Sequence, residues 1–427
     1  MSSASLFVAA AALAAVAQAQ SVGPSAENHP RLTTWTCTKA GGCTPHNTAL
    51  VIDSLAHPVY QRNNPSINCG DWGNAPNATV CPDAATCQEN CIMDGIPNYE
   101  DYGVFTEGGV LTMKQLRPDG SLATPRLYLL SESEDKYEML KLTGQELTFD
   151  VDVSKLPCGM NGALYLSEMA EDGGKSELNT GGARYGTGYC DAQCFVTPFI
   201  NGEPNLEGKG SCCNELDVWE ANMPATCIAP HTCGPPGLYK CEGAECEFEG
   251  VCDKWGCTYK PYAMGNPSYY GPGANYTVDT TRPFTVVTQF PADEAGVLQE
   301  IKRIYVQDGR KIPQAPIKLE NLPAGNSMTQ ALCDAVPDQA RRFNELGGLK
   351  GMGEAMARGM VLALSIWWDE GGNMNWLDSP PCSETEGAPS NIVKVQPDPT
   401  VVYSNIKWGE IGSTFSGKPP ACKRRTV

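Results

Sequence analysis

The sequence predicts an all-β fold, a single sandwich of antiparallel sheets with few short helices. Three observations carry that expectation. Apolar and polar residues alternate along much of the 427-residue chain, 44 Gly and 33 Pro punctuate it with turns, and helical patterning is confined to roughly residues 328–356. Strands never alternate regularly with helices, which argues against a parallel α/β sheet.

At the N-terminus, Leu6 to Val16 is a short apolar run ending in Ala17-Gln18-Ala19, the small-x-small pattern of a signal-peptide cleavage site. Residues 1–19 are therefore expected to be removed on export. The run is shorter than the ~20 apolar residues a membrane span needs. The first β-type run is Arg126 to Leu130. In Leu147-Thr-Phe149-Asp-Val151-Asp-Val153, strict alternation puts Leu147, Phe149, Val151 and Val153 on one face of a strand. Phe284 to Phe290 and Glu300 to Val306 follow, and Asp308-Gly309 closes the latter with a hairpin signal. Between Met328 and Met356, Ala, Leu, Met and Glu replace β-branched residues, so this is the expected helical segment. The last β-type runs are Met360 to Trp367 and Val401 to Trp408. No repeat or Ser/Thr/Pro linker interrupts the pattern, so residues 20–417 are expected to form one domain, followed by a short basic tail, 418–427.

Charge narrows the partners. With 31 Lys+Arg against 49 Asp+Glu the formal net charge is −18, and basic residues cluster only in the tail. No nucleic acid is expected, since a phosphate backbone is held by clustered cations. The same surplus of acid repels anionic membranes. Twenty cysteines in an exported chain point to disulfides; zinc would want clustered Cys pairs with nearby His, and the chain has four His in all. Asn77-Ala-Thr and Asn275-Tyr-Thr are glycosylation sequons.

The sharpest chemistry lies in Gly210-Ser-Cys-Cys-Asn-Glu215-Leu-Asp217-Val-Trp219-Glu220-Ala-Asn222, with three carboxylates in six residues of a β-like segment. Glu215 and Asp217 share a strand face. Strict alternation sends Glu220 to the other, so a bulge or strand end must intervene if all three converge. Paired carboxyls in different environments, one ionised and one protonated, are what glycoside hydrolysis requires. Adjacent Cys212 and Cys213 point to opposite sides, each needing a partner, and Cys190-Asp-Ala-Gln-Cys194 offers two. Such a clip would fix the strand just before the acids.

The run Asn214-Glu-Leu-Asp-Val-Trp-Glu-Ala-Asn222 resembles the Glu-x-Asp-x-x-Glu signature of glycoside hydrolase family 7, the fungal cellulases. Cys158-Gly-Met-Asn-Gly-Ala-Leu-Tyr165, Tyr185-Gly-Thr-Gly-Tyr-Cys-Asp-Ala-Gln-Cys194, Tyr269-Tyr-Gly-Pro-Gly273, Asn375-Trp-Leu-Asp378 and Ser404-Asn-Ile-Lys-Trp-Gly-Glu-Ile-Gly-Ser413 extend the resemblance over about His29 to Ser413. It implies a concanavalin-like β-jelly-roll with a cleft on its concave face, hydrolysing β-1,4-glucan with retention. By motif position, Glu215 is the implied nucleophile, Asp217 its assistant and Glu220 the general acid/base. Asp191 and His231 line the site. Trp367 and Trp376 match two sugar platforms beside the cleavage point, and Arg126, Asn161, Tyr165, Tyr189 and Gln193 match cleft positions.

Within the family the chain resembles the endoglucanases, whose shorter loops leave the cleft open. Only Lys209 separates Asn205-Leu-Glu-Gly208 from Gly210-Ser-Cys-Cys213, where cellobiohydrolases carry a long insertion. Ser54-Leu-Ala-His-Pro after Ile52-Asp53 lacks their distant tryptophans, and Ala263 stands where they carry an arginine. The expected activity is therefore internal cleavage by a monomer with no cellulose-binding module and no metal or organic cofactor. A cellobiohydrolase of the same family, or a sugar-binding lectin-like protein on the same architecture, are the alternatives. The resemblance also implies nine disulfides: Cys37–Cys43, Cys69–Cys91, Cys81–Cys87, Cys158–Cys382, Cys190–Cys213, Cys194–Cys212, Cys233–Cys252, Cys241–Cys246 and Cys257–Cys333. Cys227 and Cys422 are left over, either paired or free.

Overall fold

The computed structural model describes residues 21–415. The expected signal segment 1–19, the tail 418–427 and Cys422 lie outside the described residues. Twelve strands form the main hydrogen-bonded path. In chain order they are β1 (Arg31–Thr38), β2 (Gly42–Ile52), β3 (Arg126–Leu130), β4 (Gln145–Lys155), β5 (Met160–Ser167), β6 (Glu215–Ala221), β7 (Thr226–His231), β8 (Phe284–Gln289), β9 (Glu300–Gln307), β10 (Arg310–Pro313), β11 (Met360–Trp368) and β12 (Thr400–Glu410). Across the sheet the order is β7-β6-β5-β11-β3-β2-β1-β12-β4-β8-β9-β10. Every pairing on this path is antiparallel except β1 with β12.

The ladder curves back on itself because its two halves share one core. Leu50, Leu127, Leu164, Leu216 and Leu364 from the β6-side half pack in one cluster with Phe149, Val286, Tyr305 and Tyr403 from the other. In β4 the alternation works as expected: Leu147, Phe149, Val151 and Val153 are buried, while Asp150 and Asp152 stay half-exposed. The Asp308-Gly309 turn has φ of 54° and 74°, the left-handed pair that a two-residue hairpin requires, and it joins Gln307 to Arg310 in register.

Helices form where the Ala/Leu/Met-rich segment predicts them: α2 (Gln330–Asp334), α3 (Pro337–Glu345) and α4 (Gly348–Arg358). They are not confined there. Short helices also form at α1 (Ala84–Asn90), capped by Asp83, at α5 (Asn375–Asp378) and at α6 (Pro389–Val395), which starts on Pro389. None exceeds two turns, too short for a periodic signal to rise above loop composition. No helix among the described residues is long and apolar enough to cross a membrane. All nine disulfides implied by the resemblance are present. Cys227 is buried and has no disulfide partner among the described residues.

Candidate active site

Strand β6 carries the three acids, and its register explains how they converge. Leu164 of β5 pairs with Trp219 and Leu166 with Leu216, while Asp217 pairs with Ala229 of β7 and Glu220 with Cys227. Over this interval β6 has one residue more than either neighbour, which is a β-bulge. Consecutive Val218 and Trp219 both face the core, and after them Glu220 returns to the face of Glu215 and Asp217. The three carboxyls are each only 7 to 8% exposed.

A bulge frees backbone groups from the ladder, and here a buried arginine takes one up. Arg303 of β9 reaches across the core, donates to the Val218 carbonyl, and bonds Thr288 Oγ1 at 3.0 Å. Its guanidinium also lies 5.5 Å from the Trp219 ring centre. Sequence alternation does point Arg303 inward with Ile301 and Tyr305, but a charge at a core position gave no reason to connect it with the acids.

Two disulfides brace the entry to β6, Cys190–Cys213 and Cys194–Cys212. The loop they pin delivers the Ala192 N–H to Glu215 Oε2 at 3.1 Å. Within that loop Asp191 accepts from the Cys194 N–H at 2.9 Å and from the Tyr189 hydroxyl at 2.8 Å. His231, opposite Glu215 at the end of β7, sets Nε2 3.1 Å from Asp217 Oδ2 and Nδ1 3.2 Å from the Asp253 carbonyl. Asn161 of β5 donates to Glu220 Oε1 at 2.9 Å and accepts from the Ala221 N–H at 3.2 Å.

This crowding sets the protonation. Burial, then the Asp217 and Asp191 carboxylates, hold Glu215 well above the usual carboxylate range. Burial and Asp191 push Asp217 up to about 8, and burial and Asp217 push Glu220 up to about 8. Asp191 is raised as well, chiefly by burial. The cluster therefore holds fewer charges than carboxyls near neutrality, and protons are shared within it. The Ala192 N–H works against that rise at Glu215, and a cluster that keeps one carboxylate among protonated neighbours is an arrangement suited to acid-assisted displacement.

The remaining candidates lie along the same face. Trp367, opposite Asn161 in the ladder, stacks with Trp376 at 6.2 Å and 28°, and Trp376 is 41% exposed. Tyr165 is buried beside Tyr189. Arg126 on β3 pairs with Asp53 at 3.0 Å and sits over the rings of Tyr189 and Trp72, at 3.6 and 4.6 Å. Gln193 turns its amide to the Lys254 carbonyl at 3.1 Å. Glu215, Asp217, Glu220, Asn161, Asp191, Tyr189 and His231 thus form one hydrogen-bonded or charge-coupled group, with Trp367 and Arg126 further across the same face of the sheet and Trp376 stacked on Trp367. Sequence reasoning missed Asp53, Trp72 and Lys254. Trp72 did carry a signal: a tryptophan in the polar turn Gly70-Asp-Trp-Gly-Asn74 has no core to join.

A family model, glycosyl hydrolase family 7, matches residues 22–415. The chain is 57% identical over 400 residues to endoglucanase EG-1 of Humicola insolens, covering 93% of this chain and 92% of that protein. It superposes on the native structure of the Humicola insolens endocellulase EGI with a TM-score of 0.90 at 56% identity, covering 92% of this chain and 100% of that one. Similarity to a family 7 cellobiohydrolase from Daphnia pulex is lower, with a TM-score of 0.85 and 37% identity over 92% of this chain and 99% of the other. The chain belongs to glycosyl hydrolase family 7.

Proposed function

We propose that the protein is an endo-β-1,4-glucanase that cuts internal bonds of cellulose and related glucans with retention of configuration. The observation that carries this reading is the β6 bulge, which gathers Glu215, Asp217 and Glu220 on one face beside the Trp367–Trp376 stack. In the first step the Glu215 carboxylate attacks the anomeric carbon while Glu220 gives its proton to the departing glycosidic oxygen. In the second, Glu220 takes a proton from water, which releases the sugar from Glu215. Asp217, bonded to His231, holds a proton near Glu215 and orients it. Asn161 fixes the Glu220 carboxyl, and the two tryptophans offer flat apolar faces to pyranose rings.

Internal rather than chain-end attack is supported by short loops. The Asn205–Gly208 turn passes through Lys209 directly into Gly210–Cys212, and Asp53 leads into a single 3-10 turn, Ser54–Ala56. The greater similarity to endoglucanases than to the cellobiohydrolase points the same way. A lectin-like role would have no use for three buried, proton-sharing acids. We further propose that residues 1–19 direct export and that the mature chain acts as a monomer; N-terminal sequencing of secreted protein should begin at Gln20.

The test is the viscosity of carboxymethyl cellulose during digestion, plotted against reducing ends released. A steep early fall in viscosity per bond broken is expected. Slow thinning with steady sugar release would replace this reading with chain-end attack, and no change in either would favour the lectin.

A further inference from the structure

Arg303 is a cation set into the core among neutral groups. It is 2% exposed, between Ile301 and Tyr305 on the inward face of β9. It donates to the Val218 carbonyl and the Thr288 hydroxyl, and the ring centres of Trp219 and Tyr305 lie 5.5 and 5.8 Å from it. All four partners are neutral. Burying a charge that no opposite charge offsets is unfavourable, and an apolar side chain of similar volume would fill the same space without that penalty. The residue is explained by what it holds.

What it holds is the bulge. Asp217 pairs with Ala229 and Glu220 with Cys227, so Val218 and Trp219 together stand opposite the single residue Ile228. If the ladder closed up by one residue here, alternation would send Glu220 to the core face. Thr288 stands directly opposite Arg303 in the β8–β9 ladder and is fully buried, and its hydroxyl accepts from Nε at 3.0 Å. That bond aims the planar fork of the guanidinium at the Val218 carbonyl.

The two ends of β6 are anchored differently. Glu215 lies before the bulge, held by the Cys190–Cys213 and Cys194–Cys212 disulfides and the Ala192 N–H. Glu220 lies after it, between Val218, gripped from the core, and Ala221, whose N–H donates to Asn161 on the cleft side. Slack in the bulge therefore moves Glu220 against a fixed Glu215, and a misplacement of ~1 Å is enough to lower a rate about 10²-fold. We propose that Arg303 is a positioning residue for the general acid: gripping the Val218 carbonyl from behind the strand, it fixes Glu220 relative to Glu215 without touching substrate. The proposal rests on the glucanase reading above, in which Glu220 is the acid.

The test uses the leaving group to separate a misplaced acid from a weakened fold. A departing sugar oxygen needs the Glu220 proton, whereas 2,4-dinitrophenolate leaves without one, so kcat/KM on 2,4-dinitrophenyl β-cellobioside reports attack by Glu215 with little help from Glu220. In full-length Arg303→Met, kcat on cellotetraose should fall about 10²-fold with KM unchanged or lower, while kcat/KM on the dinitrophenyl substrate should stay within about threefold of the parent. Arg303→Lys keeps a donor and the charge and should recover part of the cellotetraose rate. Thr288→Val leaves the guanidinium in the core without its aiming bond and should show the same selective loss more weakly. These two variants decide the question if Arg303→Met does not fold. Equal losses on both substrates, or no loss on either, would overturn the positioning role and leave the glucanase reading standing. A parent that hydrolyses no β-glucan would remove both readings together.

Discussion

The two faces of strand β6 are built from the same seven residues and obey opposite rules. Toward the core, Trp219 meets Phe149, Tyr270, Phe284 and Tyr305 edge to face, with ring centres 5.9 to 6.4 Å apart. Toward the cleft, three carboxyls stand almost as well buried, each repelled by the next. The core face gains from every apolar contact. The cleft face loses by burying acids and is held in place from outside, by two disulfides, the Ala192 N–H, His231 and Asn161. What joins the two is the bulge, with Arg303 bonded to its Val218 carbonyl. The core face supplies the stability that the acid face consumes, so substitutions on the two faces should separate stability from turnover.

The largest effect should come from the acid face. Glu215→Gln is nearly isosteric, and it should lower kcat by at least ~10⁴-fold while thermal stability holds or rises and oligosaccharide binding persists. Retained turnover would remove the nucleophile assignment. On the opposite face, Trp219→Ala should cost about 3–5 kcal/mol in a denaturant melt, the loss of a large buried aromatic. A variant that melts like the parent would mean that the core beneath the bulge contributes little.

A subtler test uses pH. In the folded protein Asp217 and Glu220 are raised to about 8, against ordinary values of 3.8 and 4.5, so between about pH 4 and pH 8 the native state binds more protons than the unfolded one. The stability these groups contribute should therefore be fully present below about pH 4 and be lost as pH rises through 8, by up to several kcal/mol. Melting temperatures across that range check the sign, and Glu220→Gln should flatten the curve. The smallest expected effect is that of Asn161→Ala. Loss of the amide that favours ionised Glu220 should move the alkaline limb of the kcat/KM profile upward and lower kcat about tenfold. An unmoved limb would mean that Glu220 is not the acid the profile reports.

Much of this was legible in the sequence, for identifiable reasons. β4 declares itself by alternation, and the spacing of Glu215, Asp217 and Glu220 requires either a bulge or a strand end if the three are to converge. Adjacent Cys212 and Cys213 needing partners on opposite sides suggests a clip on β6, and its pairing is what the family resemblance implies. Less legible were groups whose role depends on contacts between distant segments. Arg303 lies 85 residues from the carbonyl it bonds, and Lys254 reaches the Ala192 loop across 62. The helices α1, α5 and α6 are too short to impose a period.

The most direct test of the account is to trap the sugar on the protein. A 2-deoxy-2-fluoro cellobioside with a good leaving group slows both chemical steps, but the second more, so a retaining enzyme accumulates its covalent intermediate. Peptide mass spectrometry after incubation should find one fluorinated cellobiosyl group, attached to Glu215. Labelling of Glu220 instead, or no label alongside products of inverted configuration, would contradict the assignment of the acids on which the account is built.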